Sequence, residues 1–585
     1  MLRQIYQKEF LEVVSKHLRV LYPDANLDQL IKRLLLTTGR YGLHSQSSQK
    51  SGLEDTGIWS EKDVVLITYA DSLLSEESSP IKQLRNFATQ HLQEAISTVH
   101  LLPFFPYSSD DGFSVKDYRA VNPESGTWND ITLLGSNFKL MFDWVLNHVS
   151  AESQWFKYYT NSIAPYSHFF VEESKDTDLS MVTRPRTSPL LTKVETRNGT
   201  KYVWTTFSAD QVDLNFANPD VFFEMLDILL FCISMGAQII RLDAVAFLWK
   251  EIGTSCMHHE NTHEFIKLIR CILNQVSPSS ILLTETNVPH EENISYFGNG
   301  DEAHMVYQFS LPPLVLHGLL KEDASHLTEW ASNLPELPEN CTFFNFTSSH
   351  DGIGMRPLQG ILSEDEIAFL VDKIKEKNGE VSYRSLPDGS KSPYELNTTY
   401  FSALADEDKP YSEISSQRFL ASQIVALSIK GIPGIYIHSL LASMNDLEGV
   451  KNSGIPRRIN RKKLTQKELD RFLSDTTSAQ RNIFLDYLNI LKKRRNCAAF
   501  DPEATQGIID LSHKVFCVKR SLIKDEKNIS VLCLHSFSGQ VEGLNLHESL
   551  EEGTYLDLLS DGVYTVDKRS FKLQPFQCLW LMKNF

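Results

Sequence analysis

Eight short runs of β-branched and aromatic residues lie through the middle of this 585-residue chain, separated by longer amphipathic stretches. Strands that alternate with helices bury both of their faces only in a parallel sheet with the helices outside, and eight such units close a barrel. The runs are DVVLITYAD ending at Asp71, AISTVHLLPFF ending at Phe105, FKLMFDWVLNH ending at His148 and AQIIRLDAVAF ending at Phe247. They continue with SILLTETN ending at Asn287, HMVYQFSL ending at Leu311, CTFFNFTSSHD ending at Asp351 and GIPGIYIHS ending at Ser439. The expected fold is α/β: a (β/α)8 TIM barrel with inserted small domains and a C-terminal antiparallel β domain.

The spacing of the runs divides the chain. Residues 63–149, 216–352 and 411–504 are assigned to the barrel, and 1–62 to an N-terminal helical extension. The third and fourth runs are separated by a Ser-, Thr- and Pro-containing stretch far longer than an ordinary connection, so 150–215 reads as an inserted domain. After the seventh run, 353–410 reads as an inserted loop domain containing the turn-rich SLPDGSKSPYELN. KVFCVKRSL, ISVLCLHSF and FQCLWLMKNF, parted by turn residues, make 505–585 a terminal β domain.

Charge and composition exclude several function classes. With 57 Lys and Arg against 74 Asp and Glu, the net charge is −17, which leaves no extended basic footprint for nucleic acid. An anionic substrate then needs a local Arg or Lys cluster. MLRQIYQKEFLEVVSKHLRV interrupts its apolar residues with charges and lacks the core of a signal peptide. The apolar segment Val221 to Ile240 carries Glu224 and Asp227 and reads as a buried amphipathic helix, not a membrane span. Eight cysteines without paired short spacings read as reduced, buried thiols, and the chain reads as cytoplasmic. HHENTH, His258 to His263, lacks the HExxH pattern and reads as a polar loop. No metal site and no phosphate-cradling glycine loop is expected; monomer and homodimer both remain open.

Reactive groups in a βα barrel sit where the strands end. Four endings carry them: DWVLNH, RLDAVAF, TET and SSHDG. Arg241 shares a strand face with Asp243 and is expected to hold that carboxylate ionised, as a nucleophile for a sugar's anomeric carbon must be. Glu285, flanked by Thr and not by a base, suits the proton donor. Carboxylates on neighbouring strands reach the roughly 5 to 5.5 Å separation of a retaining double displacement. Asp351, from a more distant strand, is expected to stabilise the oxocarbenium-like transition state or to bind sugar hydroxyls, with His148 and His350 donating to ring hydroxyls.

These four segments resemble the signature segments of the α-amylase superfamily of glycoside hydrolases. LITYAD, HLLPFFPYSSDDGF, RPR, VWTTFSADQVDLN, EIGTSC, FSLPPLVLHGLL, HDGIG and PRRINR resemble, more narrowly, its sucrose phosphorylase group, from about Val64 to Arg461. The resemblance implies Asp243 as nucleophile, Glu285 as acid/base and Asp351 as transition-state stabiliser. It also implies a glucose pocket of Asp110, Phe113, His148, Phe207, Gln211, Arg241, His350 and Arg461, with a small-molecule glucoside and inorganic phosphate as substrates and no cofactor.

The sequence departs from the sucrose enzymes at Thr183, where they tend to have an aromatic, and at Glu395, where they have Gln. Asn287 shares the strand face of Glu285. Asn287 and Glu395 suit the hydroxyls of a small polyol-like acceptor, and Arg184 or Arg186 a bidentate clamp on a carboxylate or phosphate. This combination resembles glucosylglycerate phosphorylases, which implies reversible phosphorolysis of 2-O-α-glucosylglycerate to α-glucose 1-phosphate and glycerate. Sucrose, sucrose 6-phosphate and glucosylglycerol remain alternative substrates. An α-glucoside hydrolase and a non-catalytic carbohydrate-binding protein are the rival classes.

Overall fold

Every one of the eight apolar runs forms a barrel strand. The structure, a computed structural model, describes residues 8–41, 58–385, 390–524 and 526–583. The strands are β1 Val65–Thr68, β2 Thr98–Leu101, β3 Lys139–Val145, β4 Ala237–Asp243, β5 Ile281–Thr284, β6 Met305–Tyr307, β7 Thr342–Phe346 and β8 Ile432–Tyr436. Each pairs in parallel with its neighbours in chain order, and β8 closes on β1. Burial on both faces explains why these strands are continuous apolar runs without alternation.

Register fixes what emerges at the rim. Asp143 of β3 lies opposite Arg241 of β4 and Val145 opposite Asp243, while Leu242 lies opposite Thr284 of β5. Asp243 and Glu285 therefore leave the sheet side by side at its C-terminal end.

The N-terminal extension holds two helices, α1 Lys8–Leu21 and α2 Leu27–Gly39; residues 42–57, which also belong to the expected extension, lie outside the described ones. These helices cover two barrel helices, α3 Pro219–Ser234 and α4 Glu260–Val276. Phe10, Val14 and Leu18 of α1 are buried, and His17 Nδ1 lies 2.8 Å from Glu264 Oε1 on α4. Beside α2, Tyr41 donates to Asp227 of α3 at 2.9 Å, and Arg119 donates to the same buried carboxylate at 2.6 Å.

Two expectations are corrected here. The segment Val221 to Ile240 is not one helix: α3 ends at Ser234 and the chain turns at Gly236 into β4. Both elements are buried nearly all round, which erases the periodicity that would separate them. Among the described residues no helix is long and apolar enough to cross a membrane. HHENTH is mostly not a loop: His258 precedes the helix, His259 is the N-cap of α4, its ring accepting from the Asn261 N–H, and Glu260 to His263 form the first turn.

Residues 150–215 leave the barrel as a short helix, Gln154–Thr160, and a hairpin, Leu191–Thr196 with Gly199–Trp204, then return through Gln211–Asp213. That last strand pairs antiparallel with His148–Ser150, at the end of β3. Residues 353–410 contribute a three-stranded sheet, with Lys391–Asn397 between Ile353–Gly354 and Glu380–Ser385. Residues 386–389, part of the SLPDGSKSPYELN stretch, lie outside the described residues.

From Thr505 a six-stranded antiparallel sheet follows. One face carries Phe516, Val518, Val531 and Trp580 into the main core, where the Trp580 indole N–H donates to Ser428 Oγ at 2.9 Å; the other face builds a separate core with Val515, Leu532 and Leu581. All eight cysteines are free, six of them buried and Cys271 and Cys578 half-buried.

Candidate active site

At the C-terminal end of the barrel a cavity with about 790 Å³ of free space, mouth included, is lined by Asp243, Glu285 and Asp351. Arg241, fully buried, lies beneath the floor. Its Nη1 donates to Asp243 Oδ1 at 2.7 Å and also to Asp143, and its Nη2 stands 3.8 Å from Glu285 Oε2. Asp143 is held on its other side by His100 Nε2 at 2.6 Å. One guanidinium thus serves three carboxylates.

The residue after Asp243 is locally unusual. Ala244 is a non-glycine residue in the left-handed region, φ 55, and its N–H donates to Glu285 Oε2 at 3.3 Å. That conformation is costly for a residue with a Cβ, and it ties the two strand ends together.

Burial dominates the electrostatics. It pushes the carboxyls of Asp243 and Glu285 above the ordinary range; Arg241 pulls both back, and the carboxylates around them, Glu285 and Asp351 beside Asp243 and Asp351 beside Glu285, push them up again. The expected ion pair between Arg241 and Asp243 is present but not exclusive, because Asp143 claims the same guanidinium. Nor is Glu285 free of a base, since Arg241 reaches it as well. The pair as a whole retains a proton where isolated carboxyls would have lost it. Within the pair, Arg241 stands closer to Asp243 than to Glu285.

Asp351 is the opposite case. Burial pushes it up, but Arg457 at 2.6 Å, then His350 at 3.3 Å, Arg461 at 3.7 Å and the more distant Arg241 hold it far below the usual carboxylate range. His350 and His148 are both lowered by burial, so each imidazole is neutral.

The residues expected to form the glucose pocket lie together. Gln211 donates to Asp110 Oδ2 at 3.2 Å and lies 3.2 Å from His148 Nε2. Phe113 stacks on His350 at 4.9 Å between centroids, and Phe207 tilts against His148 at 5.2 Å. The turn that presents Asp110 has two left-handed residues, Asp110 and Asp111, and then Gly112 at φ 110, where a Cβ would stand 2.4 Å from the Pro103 carbonyl oxygen. Only glycine fits there.

Asp110, Phe113, His148, Phe207, Gln211 and His350 all line the cavity, as do Asn287, Glu395 and Arg186. Three expected residues do not. Arg241 is below the floor. Arg461 is behind the wall, bound to Asp111 at 2.7 Å and to the His350 carbonyl at 2.7 Å. Arg184 is exposed and donates to the Ser188 carbonyl at 2.5 Å, so the clamp proposed for it is not there. Pro185, between the two arginines, is buried.

Residues the sequence did not single out complete the wall: Arg457, Tyr394, Met257 and Arg356. Arg457 joins Asp351 to Glu395, gripping the latter through Nε at 3.1 Å and Nη2 at 2.6 Å. PRRINR contained the signal, but the motif pointed to its last arginine and not to the one four residues earlier.

A closed parallel barrel that gathers three acids at a cavity floor, two of them on adjacent strands around one guanidinium, defines an α-glycoside-processing enzyme of the α-amylase kind. Residues 90–352 match the family described as alpha amylase, catalytic domain. Glucosylglycerate phosphorylase of Spirochaeta thermophila is 49% identical over 478 residues, 81% of this chain and 80% of that protein; glucosylglycerate phosphorylase of Escherichia coli is 44% identical over 525 residues, 89% and 92%. The crystal structure of sucrose 6F-phosphate phosphorylase from Thermoanaerobacter thermosaccharolyticum superposes with a TM-score of 0.71 at 25% identity, covering 88% of this chain and 98% of that one. The chain belongs to the glucosylglycerate phosphorylase family, within the sucrose phosphorylase group of the α-amylase superfamily.

Proposed function

We propose that this protein is a retaining glycoside phosphorylase that converts 2-O-α-glucosylglycerate and phosphate reversibly to α-D-glucose 1-phosphate and glycerate. The observation that carries it is the pairing of Asp243 and Glu285 across one cavity floor with Arg241 between them. Asp243 attacks C1 of the glucosyl unit and Glu285 passes its proton to the leaving oxygen of glycerate. The result is a β-linked glucosyl-enzyme. Phosphate then attacks from the vacated side and restores the α configuration, because two inversions give retention. Asp351, charged at any working pH, lies close enough to the same floor to stabilise the positive charge that develops on the sugar ring. No step calls for a cofactor. The free thiols suit a cytoplasmic setting, where disulfides are kept reduced.

Incubation of glucosylglycerate with and without phosphate tests this. Phosphate-dependent release of α-glucose 1-phosphate is expected. Equal glucose release in the absence of phosphate would make the protein a hydrolase, and no turnover across a panel of α-glucosides would leave only carbohydrate binding.

Acceptor preference provides a second check. Asn287 and Glu395 stand on the wall beyond Glu285, so Asn287→Ala and Glu395→Gln are expected to weaken use of glycerate about tenfold, the scale of one or two lost hydrogen bonds. Glucosyl transfer to phosphate should change less. Equal losses with glycerate and phosphate, measured as kcat/KM in the two directions, rule out an acceptor role for these side chains.

A further inference from the structure

Among the described residues, two cations on the cavity wall, Arg186 and Arg356, lack a close carboxylate partner. Arg457 is saturated by Asp351 and Glu395, and Arg241 by Asp143 and Asp243. Arg356, in the short turn Arg356–Leu358 after β7, is different. It lines the cavity with a side chain only 12% exposed, yet its Nη2 lies 3.9 Å from Glu292, a carboxylate that is itself 46% exposed. Its Nη1 faces the Met257 thioether at 3.9 Å, and its Nε has no partner. A buried guanidinium with so few acceptors is costly unless an anion completes it.

Its surroundings add to the positive potential. Arg186 lies over the Tyr394 ring at 5.5 Å on the same cavity wall. Arg384, half-buried, has its pKa lowered by burial and then by the charge of Arg356, so the two guanidiniums are near one another. A protein of net charge −17 has thus placed a group of arginines at this one mouth.

Position assigns that group to one end of the substrate. An acid/base residue stands on the leaving-group side of the bond it cleaves. Asn287 is two residues beyond Glu285, and its amide lies so close to Gly354 that a Cβ there would be 2.4 Å from Asn287 Oδ1. Arg356 follows Gly354 by two residues. The wall leading outward from Glu285 therefore ends at Arg356.

We propose that Arg356 is a specificity-determining residue: with Arg186 it forms a single oxyanion subsite that takes in turn the carboxylate of the departing acceptor and the incoming phosphate. This rests on the phosphorylase reading above. Both anions must approach the anomeric carbon from the side of Glu285, and they do so one after the other. One guanidinium cluster serves each in sequence, and a neutral acceptor of the same shape gains nothing from it.

The test is Arg356→Gln, with Arg356→Lys as the charge-retaining control, assayed in the synthetic direction from α-glucose 1-phosphate with glycerate and with glycerol. The ratio of kcat/KM for glycerate to that for glycerol is expected to fall roughly 10- to 150-fold in Arg356→Gln, the scale of a lost charge-assisted hydrogen bond, and to recover in part in Arg356→Lys. The KM for phosphate at saturating glucosylglycerate is expected to rise at least about tenfold in Arg356→Gln. An unchanged ratio, an equal loss with both acceptors in a folded variant, or an effect confined to one of the two anions overturns the shared subsite. Wild-type protein that shows no phosphate-dependent turnover removes the phosphorylase reading, and this proposal with it; wild-type transfer to glycerate with an unaltered ratio in the variant removes only the assignment to Arg356.

Discussion

Asp243→Ala is expected to lower kcat for phosphorolysis roughly 10,000-fold or more, and Glu285→Gln by about 100- to 10,000-fold, with folding intact in both. The stability expectation follows from the burial of the pair. Asp243 is a carboxyl raised by desolvation, so its charged form costs folding energy near neutral pH, and its removal lifts that cost. Arg241 keeps Asp143, so no unpaired guanidinium is left behind. Thermal midpoints within a few degrees of wild type are therefore expected. The two roles separate by substrate. α-Glucosyl fluoride has a leaving group that needs little protonation, so Glu285→Gln should retain far more activity on it than on glucosylglycerate. Asp243→Ala should remain inactive on both. Near-normal turnover of glucosylglycerate by either variant removes the role given to that residue, and equal defects of Glu285→Gln on the two substrates remove its proton transfer.

The barrel and the acids at its floor were legible because both depend on features that stay local in sequence. A strand buried on both faces must be apolar throughout, so a lone Asp or Glu at the end of such a run stands out, as at Asp243 and Glu285. The strand after Gly236 was legible as AQIIRLDAVAF, but the helix before it, buried all round, shows no change of period at its end, so the apolar segment Val221 to Ile240 reads as one helix. His258 to His263 misled for another reason: polar residues that cap a helix look like loop until the apolar repeat begins at Phe265. The arginines were least legible. Arg186 lines the cavity and Arg184 does not, and Arg457 lines it while Arg461 stands behind the wall. Residue type and spacing offer both of each pair. Only folded loops choose between them. The expected Arg241–Asp243 pair is present, and its sharing with Asp143 was not legible because Asp143 comes from a strand nearly one hundred residues earlier.

Arg457→Met is expected to be the most damaging change outside the three acids, with a signature that a merely structural residue does not give. Arg457 is the largest favourable influence on the charge of Asp351 and the only ion-pair partner of Glu395 among the described residues. Without it, burial acts on Asp351 against only His350, Arg461 and Arg241. The sign follows. In the native protein Asp351 has a depressed pKa and stays charged through the whole working range. In the variant its pKa moves upward, and the charge is lost as pH falls through the new value. The acid limb of the kcat/KM profile should therefore shift to higher pH. Above that limb, turnover should still be reduced, by roughly 100-fold, because Asp351 and Glu395 no longer have a common anchor. Leaving two buried carboxylates without their cation should also cost about 3 kcal/mol of stability. Arg457→Lys retains a charge but not the bidentate grip on Glu395, so it should recover most of the pH shift and less of the turnover. An acid limb that stays in place in Arg457→Met, in protein whose circular dichroism shows it folded, means that Asp351 is held charged by something other than this guanidinium.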